Sequence, residues 1–304
     1  IALDLKQPAA IDLLHRFIAR ADVLVENFRP GVMTRLGLDS LSLQARYPRL
    51  VIASVTGTGP SGPYAEGRAY DAVIQALAGM SASHRERSTG EPGLLPTLVC
   101  DKLTALTLAQ AITAALLARE RDGRGRRVEV SMLDAALAFQ WPDAMYNHVF
   151  LDEPPAAFPP YGGINLPYAT SDGHVTVMTP QASEFKAMCA GLGQPELADD
   201  PRFKTPATRV KHGVLLRKTL EPLFAAQPTD ALVKRLVATG VPIARVNELD
   251  EVVCDPQVLH NRSLPEVPHG DVGRVRLARQ AAHFDRQPLP DPRPAPHLGE
   301  HGLE

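Results

Sequence analysis

The chain has 304 residues, of which 44% are hydrophobic and 22% are charged, and this composition is typical of a globular protein. At roughly 150 residues per domain, the length predicts about two domains, each large enough to bury a core. The 32 Lys and Arg nearly balance the 34 Asp and Glu, for a net charge of -2. This balance argues against a basic groove for nucleic acid and a polybasic membrane-binding face, so we expect neither partner.

The cysteines are few and widely separated: Cys100, Cys189 and Cys254. This spacing excludes a disulfide framework and a zinc cluster, so we expect no metal site and a reducing, cytoplasmic location. No apolar run reaches the roughly 18 residues needed to span a bilayer. The chain starts in the middle of a strand-like segment and stops without a closing element. We therefore expect a piece of a longer protein, truncated at both ends.

The first half of the chain alternates predicted helices and strands. Apolar residues Ile11, Leu14 and Ile18 recur on one face, which indicates a helix. The predicted elements, in order, are helix 8–21, strand 22–26, helix 32–36, strand 50–55, helix 70–80, helix 103–121, strand 127–132 and helix 133–146. Such alternation predicts an α/β fold, with a parallel sheet covered on both faces. We assign residues 1–150 to a large domain.

The composition changes at residues 151–167, where clustered prolines prevent regular structure and indicate a linker. Beyond it, Ser171-Asp172-Gly173 separates two short β-branched runs, which predicts a hairpin. Helices are predicted near 184–192, 215–226 and 229–239. We expect a small α/β domain over 168–250. A second proline-rich tract lies within 251–304, which we interpret as a return linker and the C-terminal part of the large domain.

Asp101 is the most unusual acid in the chain. It follows an apolar run and precedes the long helix predicted from Leu103. One interpretation is a helix N-cap, because an Asp side chain accepts backbone N–H bonds there. The other is a nucleophile, because a helix N-terminus stabilises a carboxylate and an apolar wall partly desolvates it. The two interpretations are compatible.

A glycine-rich turn, Gly57-Thr58-Gly59-Pro60-Ser61-Gly62-Pro63, follows the strand predicted at 50–55. Backbone N–H groups of such a turn are able to hold a phosphate. The turn lacks the G-x-G-x-x-G spacing and the P-loop lysine, however, so a simple mobile loop is favoured. The residues alone therefore predict an α/β enzyme with one candidate nucleophile.

Several different motifs follow one another along essentially the whole chain. Those in the first half are Ala21-Asp22-Val23-Leu24-Val25-Glu26-Asn27-Phe28-Arg29-Pro30-Gly31, Gly57-x-Gly59-Pro60-x-Gly62-Pro63, Tyr70-Asp71-x-x-x-Gln75-Ala76-x-x-Gly79 and Asp101 before its helix. Those in the second half are Tyr168-x-Thr170-x-Asp172-Gly173, Asp200-Pro201-Arg202-Phe203, Gly240-Val241-Pro242 and Pro296-x-Leu298-Gly299-Glu300-His301. Together they resemble the signature of the class III CoA-transferases. This family includes formyl-CoA transferase, carnitine-CoA transferases and α-methylacyl-CoA racemase.

The resemblance implies a Rossmann-like large domain, a smaller α/β domain and two long linkers, in the places of the two proline-rich tracts. It also implies a homodimer whose chains pass through one another like linked rings. The substrates would be an acyl-CoA and a small carboxylic acid, with no permanently bound cofactor. The resemblance further implies that the family's first strands and its terminal helix are missing from this chain, so we expect a truncation at both ends.

Carried onto this sequence, the resemblance assigns the catalytic aspartate to Asp101. Tyr70 would line the acyl pocket, and the pair Gly162 and Gly163 would stand in for a longer glycine loop that closes over the acyl group. Contacts to CoA would come from Lys6, Asn27, Phe28, Arg29 and Arg35. The chemistry agrees, because amide and aromatic side chains clamp an adenine and cationic heads meet phosphates.

The implied reaction moves CoA between carboxylic acids through an aspartyl anhydride and an aspartyl-CoA thioester. Backbone N–H groups after Asp101 are expected to stabilise the developing oxyanion. A 2-methylacyl-CoA racemase is an alternative, but its histidine is replaced by Tyr70 and its glutamate aligns near Ala182, close to Glu184. Because one of the two bases is lost, the transferase is favoured. A non-catalytic CoA-binding remnant is a third alternative.

Overall fold

The structure is a computed structural model that describes residues 1–86, 89–152, 166–285, 287 and 289–300. Contacts divide the chain into two compact units, residues 2–163 and 164–304, which we name the N-terminal unit and the C-terminal unit. The domain bounds expected from the sequence, with residues 251–304 returning to the large domain, remain a prediction.

A three-stranded parallel sheet forms the centre of the N-terminal unit. Its strands are β1 (Val23–Glu26), β2 (Val51–Thr56) and β3 (Arg127–Ser131), in the order β1-β2-β3. Ala53 of the middle strand lies opposite Val25 on one side and Val128 on the other. The first four residues of β2 are buried, as expected for a strand covered on both faces. The predicted α/β class with a parallel sheet is confirmed.

Helices cover both faces of this sheet. The helices of this unit are α1 (Pro8–Ile18), α2 (Val32–Arg35), α3 (Ser40–Arg46), α4 (Asp71–Leu77), α5 (Met80–Ser83), α6 (Val99–Asp122) and α7 (Met132–Ala144). On one face, Ile52 packs in a cluster with Ile18 of α1 and Leu43 of α3. On the other face, Ala53 packs with Leu108 of α6. Alternate residues of β2 therefore enter two separate apolar layers.

The long helix α6 begins earlier than the sequence suggested. Its first residue is Val99 and its N-cap is Leu98, so Asp101 is the third helical residue, and its assignment as the N-cap is wrong. By length and hydropathy, α6 alone among the described helices meets the criteria for a membrane span. Core helices meet the same criteria, and α6 packs on β2, β3, α4 and α7. The length and hydropathy of α6 are therefore only a weak indication of a membrane span.

The C-terminal unit is built on an antiparallel sheet of β4 (Tyr168–Ala169), β5 (His174–Val177) and β6 (Ile243–Arg245), and the predicted hairpin is its β4-β5 pair. A second hairpin pairs β7 (Glu266–His269) with β8 (Gly273–Arg276). The helices are α8 (Ala182–Gly191), α9 (Pro206–Lys211), α10 (Gly213–Ala225), α11 (Thr229–Val237), α12 (Leu249–Val252) and α13 (Pro256–His260). The core gathers fully buried aromatic and aliphatic side chains, among them Phe185, Phe203, Phe224, Leu232 and Leu236.

Candidate active site

A cavity of about 370 Å³ lies in the N-terminal unit, where the parallel strands end. Residues that directly follow each strand line it: 27–30 after β1, 57–58 after β2, and Met132 after β3. The carboxyl ends of parallel strands meet at one edge of a sheet, and this edge is the usual ligand site of open α/β folds. The remaining wall comes from the last two residues of β2, from residues 65 and 67–70, and from Asp101.

Asp101 presents a carboxylate to this cavity from the first turn of α6. The residue is exposed, and its carboxylate oxygens accept no hydrogen bond from the described residues. The carboxylate lies at the N-terminal end of α6, where the helix dipole places partial positive charge. An accessible, unpartnered carboxylate in a cavity is chemically able to act as a nucleophile.

Backbone N–H groups after Asp101 are expected to stabilise an oxyanion, but the N–H of the next residue, Lys102, is not free to do so. The N–H of Lys102 donates to the carbonyl of Leu98 at 3.2 Å, inside the helix. That amide is therefore occupied and does not face a substrate. The reason is that α6 starts at Val99, so Lys102 is already helical rather than part of an open turn.

Two buried polar side chains lie behind Asp101. An oxygen of the Asp71 carboxylate, Oδ2, accepts the backbone N–H of Asp101 at 3.0 Å, and Oδ1 accepts Gln75 Nε2 at 2.5 Å. Gln75 in turn accepts the N–H of Leu95 at 2.9 Å and donates to the carbonyl of Thr97 at 3.2 Å. Asp71 and Gln75 are only 4% and 2% exposed. They connect α4 with the segment that leads into α6.

Cys100, the neighbour of Asp101, is a second candidate nucleophile by residue type only. Its side chain is fully buried, with Sγ 3.8 Å from the Met80 sulfur. Burial raises the pKa of the Cys100 thiol to about 11, and the negative charges of Asp71 and Asp101 raise it further. The thiol is therefore protonated at neutral pH and has no access to the cavity.

Gly57 makes a close approach that any side chain would prevent. A Cβ at this position would lie 2.1 Å from the Ala69 Cβ. The glycine therefore lets the end of β2 pack directly against the segment that carries Arg68 and Tyr70. Gly57 and Thr58 line the cavity, so part of the turn interpreted as a simple loop belongs to its wall.

The structure brings five of the predicted site residues to one cavity: Asn27, Phe28, Arg29, Tyr70 and Asp101. It does not bring Lys6 or Arg35 to the wall of this cavity. Lys6 is exposed in a turn closed by Asp4, and Arg35 is exposed at the end of α2. The roles of all these residues toward CoA remain predictions. Gly162 and Gly163 lie outside the described residues.

Sequence reasoning missed Arg68 as a cavity residue. Its exposed guanidinium, like that of Arg29, has no hydrogen bond or ion pair with the described residues. The only local signal was its position two residues before the motif that begins at Tyr70. Two unpaired cations in one cavity favour an anionic ligand.

The two positions compared with a racemase have different surroundings. Tyr70 is 68% exposed and lines the cavity. Glu184, in the C-terminal unit, accepts the N–H of Gln181 at 2.9 Å in a capping box at the start of α8. Its carboxylate therefore has a structural function in the helix terminus.

The chain is similar along almost its whole length to several known proteins. The succinate–glutarate CoA-transferase of Agrobacterium fabrum is 30% identical over 99% of this chain and 76% of its own length. The formyl-CoA:oxalate CoA-transferase of Streptomyces avermitilis is 31% identical over 100% of this chain and 78% of its own length. The crystal structure of Rv3272 from M. tuberculosis superposes with a TM-score of 0.87 at 28% identity, covering 99% of this chain and 82% of that one. The sequence profile of CoA-transferase family III matches residues 1–302, and the chain belongs to this family.

Proposed function

We propose that this chain transfers CoA from an acyl-CoA to a small carboxylic acid, with Asp101 as the covalent carrier. One observation supports the proposal above the others: an exposed carboxylate without a hydrogen-bonding partner lies in the cavity at the carboxyl ends of the parallel strands. This is the chemistry that nucleophilic acyl transfer requires. The relatives named as transferases of succinate, glutarate, formyl-CoA and oxalate support short acids as the substrate class.

The cavity wall offers groups of the kinds that bind CoA. Arg29 and Arg68 supply guanidinium groups for phosphate or carboxylate oxygens, which they are able to contact in a bidentate way. Phe28 is 43% exposed and offers an aromatic face for adenine. Asn27 offers amide hydrogen bonds beside it. We propose that these groups hold the CoA thioester with its carbonyl next to Asp101.

In the first half-reaction, the Asp101 carboxylate attacks the thioester carbonyl of the donor. The carbon–sulfur bond breaks, CoA leaves as a thiolate, and an aspartyl–acyl anhydride forms. The thiolate then attacks the aspartyl carbonyl and releases the donor acid as a carboxylate. The product is an aspartyl-CoA thioester, so one difficult exchange is divided into easier steps.

In the second half-reaction, the acceptor carboxylate attacks the aspartyl-CoA thioester. CoA thiolate leaves again, a second anhydride forms, and the thiolate attacks its acceptor-side carbonyl. The acceptor leaves as an acyl-CoA and the Asp101 carboxylate is restored. One thioester is broken and one is made, so the sequence needs no nucleotide. It does need water to be excluded, because water would hydrolyse the anhydride.

Asp101→Asn tests the proposal against a matched control, Asp134→Asn. Asp134 is also an exposed acid and is also the third residue of its helix, α7, but it does not line the cavity. With succinyl-CoA or formyl-CoA as donor and glutarate or oxalate as acceptor, Asp101→Asn should lose exchange by at least about 1,000-fold. Asp134→Asn should retain it.

Retained exchange in Asp101→Asn contradicts the proposal. Exchange of the α-proton in deuterium oxide without acyl exchange would instead support the racemase chemistry. Binding of CoA without either activity would support a non-catalytic role.

We also propose that the chain works as a homodimer in the cytoplasm. The dimer is supported by large apolar side chains exposed on helices of the N-terminal unit: Val73 and Leu77 on α4, Leu106 and Leu117 on α6, and Phe139 on α7. The location is supported by the three free cysteines, two of them buried. Light scattering of the full chain measures the dimer, and a monomer at micromolar concentration would contradict it.

A further inference from the structure

We infer that Asp71, held by Gln75, is a positioning residue for the nucleophile Asp101. The inference rests on the proposed function, because it assigns Asp71 to the alignment of that carboxylate. Asp71 does not line the cavity, and it contacts the backbone of Asp101 rather than its side chain. It therefore acts through another residue and not on the substrate.

The first step of the argument concerns the start of α6. The N-cap Leu98 has no side-chain acceptor for the free N–H groups of the first turn. Asp71 provides that acceptor from 30 residues away, by accepting the N–H of Asp101 at 3.0 Å. Since the N–H and the side chain of Asp101 share one Cα, this bond fixes the point from which the nucleophile extends.

The second step concerns the segment before α6. Gln75 bonds the backbone of that segment at both ends, accepting from Leu95 and donating to Thr97. The same amide donates to Asp71 at 2.5 Å. One buried pair of side chains therefore sets both the path of the chain into α6 and the first turn of the helix. Asp71 also begins α4, so it lies at the positive ends of two helices.

The third step explains why the residue is a carboxylate. Two donors, the Asp101 N–H and Gln75 Nε2, converge on Asp71, and a carboxylate accepts at both oxygens. An Asn accepts at one oxygen only and turns its NH₂ toward the other donor. Gln75 cannot rotate to correct this, because Leu95 and Thr97 fix which way its amide points. In Asp71→Asn the new amide NH₂ therefore faces a second buried donor, either Gln75 Nε2 or the N–H of Asp101.

The experiment measures how fast acyl-CoA labels Asp101 in the full chain. At saturating succinyl-CoA, with hydroxylamine as the trap, Asp71→Asn and Asp71→Ala should slow the labelling by about 10- to 100-fold, because misplacement by about 1 Å costs that much in a nucleophilic step. The acyl-CoA concentration for half-saturation should change by less than about threefold, because Asp71 does not line the cavity.

Asp39→Asn is the matched control for lost capping. Asp39 is the N-cap of α3 and accepts the N–H of Ser42 at 3.0 Å, the same kind of bond as that of Asp71, but away from the cavity. It should label at the wild-type rate.

Two outcomes overturn the inference: a wild-type labelling rate in Asp71→Asn, or an equal loss of rate in Asp39→Asn. Failure of the proposed function is a different result, because the wild-type chain would then give no label at Asp101 at all.

Discussion

Gly57→Ala tests whether the close approach between the end of β2 and residues 67–70 builds the cavity. The added Cβ would lie 2.1 Å from the Ala69 Cβ, whereas apolar carbons rest about 3.5–4.0 Å apart. Ala69 or the strand end must therefore move by roughly 1.5 Å. Overpacking of this kind costs about 1–3 kcal/mol of the free energy of unfolding. The backbone of Gly57 has no positive φ, so the expected loss comes from the clash alone.

The assay combines urea unfolding of the full chain with the steady-state KM for acyl-CoA. Gly57→Ala should lower the urea midpoint. It should also raise the KM for acyl-CoA, because the segment that it displaces contains Arg68 and Tyr70, which line the cavity. A rescue variant is available. In Gly57→Ala/Ala69→Gly the nearest atom to the new Cβ becomes the residue 69 Cα at 3.6 Å, an ordinary contact. The double variant should therefore be more stable than Gly57→Ala. Like the wild type, it has one glycine and one alanine at positions 57 and 69.

Gly213→Ala is the matched control, because a Cβ there meets nothing within 4 Å and its backbone has no positive φ. It should leave the midpoint unchanged or raise it slightly. A Gly57→Ala chain as stable as the wild type, or a double variant less stable than the single one, would refute the reasoning.

Two further predictions concern titratable side chains. Cys254 is exposed, whereas Cys100 and Cys189 are buried and burial raises the pKa of each to about 11, so iodoacetamide at neutral pH should alkylate Cys254 first. Peptide mass mapping measures this, and earlier labelling of Cys100 would contradict it. Two hydrogen bonds from Thr229 hold the pKa of the Asp172 carboxyl below its ordinary value, so its stabilisation is present at neutral pH and is lost as the pH falls through that lowered pKa. The difference in urea midpoint between the wild type and Asp172→Asn should therefore shrink toward acid pH, and a constant difference would show that the charge is not responsible.

The sequence predicted the parallel sheet because its strands carry a local signal. The apolar run at Val51 reads directly as a strand buried on both faces, and the alternation with helices fixes the direction of the strands. The helix α3, the strand β6 and the β7-β8 hairpin were not predicted. Their strands are only three or four residues long, and β6 forms by pairing with β5, which lies far away in sequence. Short elements of this kind depend on contacts that local patterns do not contain.

In the candidate site, too, residues with a local sequence signal were predicted and residues that depend on distant contacts were not. Asp101 was identified from its position between an apolar run and a helix, but its N-cap assignment was wrong because α6 begins two residues earlier, at Val99. The acceptor for the Asp101 N–H comes from Asp71, 30 residues earlier. Arg68 joined the site only when the fold placed its segment against Gly57. The ends of parallel strands bring distant segments together, and one sequence alone gives no distance between them.

The covalent step at Asp101 is tested most directly by mapping the labelled residue. The 304-residue chain is incubated with succinyl-CoA, quenched with hydroxylamine, digested and analysed by tandem mass spectrometry. We predict a hydroxamate on Asp101 that requires the acyl-CoA, that is absent from Asp101→Asn and that persists in Asp134→Asn. Acyl exchange by the wild-type chain with no modification at Asp101, or with the modification on another residue, would contradict the account.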